Sequence, residues 1–193
     1  MISSKDALGQ CVEPIFHTLA SMQRDAINAA EASALYERCV RELDQLQTQA
    51  NQREIPSADL EGARYAMVAL IDEIAVQREG ALKDYWLPRV LQMKYFGENV
   101  AGDHFFDRLT ALRGDVKRHQ VLRVYYLCML FGFRGKYRLR GSELELLEIE
   151  ESVRTELQKA RVIPTELSLS PSGRRPHERF ADARRNQLLL TIA

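Results

Sequence analysis

Cysteine is scarce in this chain: only Cys11, Cys39 and Cys128 occur in 193 residues. They are odd in number and far apart, and no Cys-x-x-Cys exists. That removes both a disulfide framework and a zinc site and fits a reducing, cytoplasmic setting. Net charge is also missing, because Lys plus Arg and Asp plus Glu are equal at 27 each. A nucleic-acid-binding chain carries a basic excess, so no nucleic acid is expected as partner. No run reaches the roughly 18 apolar residues that span a bilayer. The longest, 121–133, is broken by Arg123 and Gly132. The start, MISSKDALGQCVEPIF, lacks the basic lead and apolar core of a signal peptide. Alternating strand patterns and internal repeats are absent too.

What is present is helical spacing. A hydrophobic share of 46% beside 28% charged residues describes an ordinary globular chain with enough apolar material for a core. Leu8, Cys11, Val12, Ile15, Phe16, Leu19 and Met22 recur at three- and four-residue steps, the mark of one amphipathic helix. Leu35, Cys39, Leu43 and Leu46 continue in a second helix, broken at 51–56. Ser57 after Pro56 is expected to cap a third, ending near Gly80. Pro88 opens a short helix stopped by Gly97, and another carries Phe105, Phe106, Leu109 and Leu112 up to Gly114. An apolar helix over about 116–131 and a Gly-Phe-Arg-Gly turn follow. Ser142 with Glu145 reads as a capping box opening a last helix through Leu144, Leu147, Val153 and Leu157. From Arg161 onward Pro, Ser and Arg dominate and few residues remain to fill a core. The pattern predicts an all-α helical domain over 1–160 and a Pro/Ser/Arg-rich linker over 161–193.

Charge is uneven along the chain. Residues 113–140 hold eight Lys or Arg against Asp115, and residues 141–160 hold six Glu against Arg154 and Lys159. Such blocks read first as solvated faces or internal ion pairs. Catalytic motifs do not stand up. In Gly132-Phe-Arg-Gly-Lys136 the glycines are too close for a phosphate loop, Tyr137 stands where Ser or Thr would meet magnesium, and a helix precedes it instead of a strand. A helix-ending turn explains it better, with glycine in the left-handed region and cations at the helix's negative end. His104 with Asp107, and Asp115 with His119, share helix faces but lack the several Glu and Glu-x-x-His pairs of a bundle metal site. No Gly-x-Ser-x-Gly occurs, and no Cys has a partner to activate it. No enzyme, metal, cofactor or small-molecule substrate is expected.

The sharpest feature is VALIDEIAV, residues 68–76, where Asp72 and Glu73 stand side by side in an apolar run. Burying an unpaired charge is expensive. At about 100° per residue, Leu60, Ala63, Met67, Leu70, Ile71 and Ile74 share a stripe, while Tyr65, Ala69 and Val76 lie near the acids. A helix covered on both sides, or one lining a groove, follows. Two readings of the pair overlap: an internal network with Arg134, Lys136 or Arg138, or an acidic docking wall for a basic segment of another protein.

Taken in order, Ala69-Leu-Ile-Asp-Glu-Ile-Ala75, Trp86, Phe96-Gly-Glu, Gly102-Asp-His-Phe-Phe106 and Tyr126-Leu-Cys-Met-Leu-Phe-Gly-Phe-Arg-Gly-Lys-Tyr-Arg138 closely resemble the TssL/DotU family. The similarity covers roughly residues 8–160. It implies a hook-shaped pair of small three-helix bundles with a cleft between them. It also implies a cytoplasmic domain carried by a single membrane helix in the bacterial inner membrane. Family members are scaffolds of type VI secretion, joining the TssM subunit to the baseplate through TssK and TssE. The family's pattern puts Asp72 and Glu73 at the cleft as partner-binding residues, with Glu79 beside them. Arg184 and Arg185 before Leu188 have the form of a positive-inside flank. The expected membrane helix would then follow this chain, and self-association would run mainly through it. A type IV accessory subunit of DotU type, or a helical small-molecule-binding domain, is the alternative.

Overall fold

The computed structural model describes residues 7–23 and 27–163, the side chains of 139 and 140 excepted. Nine α-helices occur among them, with no strand: α1 (Ala7–Met22), α2 (Ala29–Gln52), α3 (Ser57–Gln77), α4 (Ala81–Trp86), α5 (Leu91–Phe96), α6 (Ala101–Leu112), α7 (His119–Leu130), α8 (Lys136–Arg140) and α9 (Glu143–Lys159). Short 3-10 turns precede α5 (Leu87–Arg89) and α7 (Val116–Arg118). The all-α expectation is met. The described residues up to Val162 belong to one compact unit. The expected linker, its arginine pair and the apolar end fall outside the described residues beyond 163. No helix among the described residues is long and apolar enough to cross a membrane.

The stripes read from spacing become the core. Leu8, Cys11, Val12, Ile15, Leu19 and Met22 of α1 are buried, as are Cys39, Leu43 and Leu46 of α2. Phe16 is half-buried, its ring 4.6 Å from that of Phe131. The centre is α3, which packs on α1, α2, α4, α5, α6 and α7. Being surrounded explains its sequence: buried positions run almost without break from Leu60 to Ala75, because a helix covered on all sides needs no polar face. Its first turn is tied down by Arg118, whose Nε lies 2.9 Å from Asp59 and whose guanidinium also donates to the Ala58 carbonyl.

Helix ends depart from expectation in three places. Ser57 is the first helical residue and not the cap, because Pro56 occupies the cap position with no side-chain bond to offer. The helix it opens stops at Gln77, short of Gly80. Ser142 does hold the cap position of α9 but makes no cap bond, so the expected box with Glu145 does not form. A complete capping box does occur at Asn28 and Glu31: the Asn28 side chain accepts the Glu31 N–H at 3.0 Å, and Glu31 accepts the Asn28 N–H at 2.8 Å. The other helix faces also shift. The expected helix over 116–131 is split by the 3-10 turn at its start, and Leu144 and Leu147 of α9 lie in solvent while Leu146, Val153 and Leu157 are buried.

The connection after α6 is pinned to α9 by one carboxylate. Glu156 accepts the Gly114 N–H at 2.8 Å and the Arg113 Nε at 3.1 Å, and His119 Nε2 lies 3.5 Å away. Burial pushes the Glu156 carboxyl up, but these donors outweigh it and leave it below its ordinary value of about 4.5.

Two measurements follow. Asn28→Ala should lower unfolding free energy in urea by about 1 kcal/mol, whereas Ser142→Ala should change it by only a few tenths. Glu156→Gln should be less stable than the natural chain at neutral pH. A carboxyl with a depressed folded pKa contributes its full stability above the unfolded value and loses it as pH falls through the folded one. The gap between the two chains should therefore be full at neutral pH and shrink as pH falls below the ordinary carboxyl value of about 4.5.

Candidate functional site

Asp72 sits on α3 with 3% of its surface exposed. Its Oδ1 accepts the Trp86 indole N–H at 2.7 Å and the Leu91 N–H at 2.9 Å, and its Oδ2 accepts the Gln92 N–H at 2.9 Å. Leu91 and Gln92 open α5, which has no side-chain cap of its own. The carboxylate from α3 thus satisfies N–H groups that a short helix leaves open and sits at the positive end of its dipole. Gln92 extends the network, its Oε1 accepting the Ala101 N–H at 2.8 Å at the head of α6. Burial pushes the Asp72 carboxyl above the usual carboxylate range, while the Trp86, Leu91 and Gln92 donors pull the other way.

Glu73 repeats the arrangement one residue on. Its two oxygens accept the Arg134 N–H at 3.0 Å and the Gly135 N–H at 2.9 Å, just ahead of α8, and α8 has no side-chain cap either. The Arg138 guanidinium approaches Oε1 at 3.3 Å. Gly135 has to be glycine here, since its φ is +48° and an added Cβ would lie 2.5 Å from the Gly102 carbonyl oxygen. The turn is also held by rings: Phe133 is buried with its ring 4.1 Å from Phe105, and Tyr137 meets Phe106 edge-on at 4.7 Å. The residues quoted for the family resemblance are thereby brought together around α3.

The other candidate residues are dispersed. Arg134 reaches Glu73 through its backbone, and its guanidinium lies 3.5 Å from Glu143. Lys136 lies 3.8 Å from Asp107, so neither acid of α3 engages it. Glu79 is exposed in the turn after α3. His104 lies 3.5 Å from Glu98. No group of three His, Cys, Asp or Glu among the described residues is placed to hold a metal ion. Burial pushes the Cys39 and Cys128 thiols far up, away from a reactive thiolate. What the acid pair can do chemically is position two short helices.

Sequence reasoning found Asp72 and Glu73 but missed Gln92 and the partners of Asp72. Trp86 carried a signal for it, since a buried indole N–H needs an acceptor.

Cutting one side of such a network is costly. Asp72→Ala orphans an indole and two backbone donors and should lower stability by on the order of 3–5 kcal/mol in urea unfolding. Glu73→Gln should cost less than half as much. Its side chain is 14% exposed, so water reaches the donors left behind.

The model for the type VI secretion system protein DotU matches residues 7–193. No curated protein matches the chain. Among solved structures, the cytoplasmic domain of TssL from Acinetobacter baumannii is 30% identical, with a TM-score of 0.75, covering 80% of this chain and 98% of that one. TssL from Vibrio cholerae is 22% identical with a TM-score of 0.70, covering 82% and 99%. SciP/TssL from enteroaggregative Escherichia coli 042 is 21% identical with a TM-score of 0.59, covering 67% and 76%. The last two support the fold alone. The helices built around α3, the turn that Glu73 holds and the match across residues 7–193 agree: this chain belongs to the DotU family, and with it to the type VI secretion system.

Proposed function

We propose that the chain is a non-enzymatic scaffold subunit, linking a TssM-like protein of the inner-membrane complex to baseplate proteins of the TssK and TssE kind. Its domain would lie on the cytoplasmic side, in the hook with a cleft that the family resemblance implies. The observation that carries this is the DotU family match over residues 7–193. The site chemistry supports it in its own way, since Asp72 and Glu73 are engaged by internal donors that fix helix positions.

For docking, the three acids divide by their surroundings. Asp72 is closed in by Trp86, Leu91 and Gln92. In this proposal it acts as a positioning residue that presents α5 and α6. Glu73 positions the turn before α8 and keeps one edge accessible. Glu79 is exposed and is the acid that touches a basic segment of the partner.

The test is capture of a purified TssK-like protein by the full chain and its variants, with helicity and thermal midpoint followed alongside. Glu79→Lys should weaken capture by roughly fivefold or more at low salt with the melt unchanged. Asp72→Asn should lower midpoint and capture together. Undiminished capture by Glu79→Lys would remove that residue from the docking surface, and no capture by the natural chain would remove the baseplate link.

A further inference from the structure

Among the described residues, nothing covers the outer face of α9. Leu144 is 77% exposed and Leu147 45%, and across from them Val116 is 75% exposed. With the segment after α6 these residues line an open groove of about 1250 Å³. Small-molecule sites usually measure roughly 300–1,000 Å³ and enclose their ligand. A larger open trough edged by leucines on one helix face suits a helical segment laid lengthwise.

Charge narrows the occupant. In the lining of the groove Glu148, Glu151 and Glu156 stand against Arg113 and Lys159, and α9 as a whole holds six Glu against Arg154 and Lys159. Arg154 is paired with Glu151, and Arg113 with Glu156. Glu145 and Glu148, which flank the exposed leucines, have no ion-pair partner among the described residues. The opposite wall is already rigid, because Arg113 donates to Glu156 and to Ser152 Oγ and Gly114 donates to Glu156. Little ordering would remain to oppose binding.

We propose that this groove docks an amphipathic helix of another protein, with leucine-like anchors on one face and Lys or Arg beside them. Leu144, Leu147 and Val116 take the anchors, and Glu145 and Glu148 take the cations. The surface uses none of Asp72, Glu73 and Glu79, so it stands or falls separately from the baseplate contacts proposed above.

The probes are two synthetic helices of roughly 18 residues, leucine-faced, one flanked by Lys and the other by Glu. Their binding to the full chain is read by fluorescence anisotropy at about 50 mM salt, where exposed charges are weakly screened. The Lys-flanked helix should bind about fivefold more tightly than the Glu-flanked one, two exposed pairs being worth about that much. Leu144→Ser/Leu147→Ser should weaken both by about tenfold or more with helicity kept. Glu145→Lys/Glu148→Lys should reverse the preference. Equal affinity for both probes, no binding of either, or binding indifferent to the serine pair would overturn the proposal. So would self-association, seen in sedimentation and abolished by the serine pair, which would give the groove to a second copy.

Discussion

Two adjacent carboxylates on a buried helix organise this domain. Ionised groups taken out of water are tolerable only when their lone pairs are filled, and here backbone N–H groups fill most of them. Asp72 takes those of Leu91 and Gln92, and Glu73 takes those of Arg134 and Gly135. Each site meets the deficit of a helix too short to be stable alone: α5 has six residues and α8 five, and neither has a side-chain cap. One turn of α3 therefore fixes two distant pieces of chain, nearly 20 and more than 60 residues downstream, by the same device.

This arrangement says what kind of importance the acids have. A buried carboxylate ringed by donors adds little net stability, because desolvation offsets the attraction, yet removing it leaves the donors stranded. A charge reversal at Asp72 would therefore disturb α5, α6 and the Trp86 contact before any partner arrived. Loss of binding after such a change cannot separate docking from architecture, while a change at exposed Glu79 can. Adjacent residues of one motif are in this sense not interchangeable: Asp72 is closed in, Glu73 keeps one edge toward Arg138 and water, and Glu79 faces solvent.

The helices were legible because burial on one side imposes a period, and α1, α2 and α6 keep that period cleanly. The acid pair was legible as an anomaly, but its partners were not. Backbone N–H groups have no side-chain signature, so nothing in residues 91 or 134 announces that they donate to α3. Of the three cations offered as partners, only Arg138 brings its side chain to Glu73, and Lys136 turns to Asp107. Caps failed for a related reason. Serine at a helix start suggests a cap by type, but the bond also needs extended backbone at that residue, and Ser142 sits at φ −87°, ψ 58°. Asn28, extended at φ −84°, ψ 174°, caps in full.

The last helix shows where periodicity stops deciding. Its apolar residues fit two overlapping stripes, one through Leu144 and Leu147 and one through Leu146, Val153 and Leu157. Both have helical spacing, and the choice belongs to whatever packs against the helix. Contacts with α7 and α8 take the second stripe. Nothing among the described residues covers the first, and single exposed leucines would need no explanation. Two on one face, edged by glutamates with no ion-pair partner among the described residues and facing a wall already tied down by Glu156, amount to a surface with defined chemistry. The ambiguity in the sequence and the open groove in the structure thus have one origin: α9 carries two apolar faces, and the described residues cover only one of them.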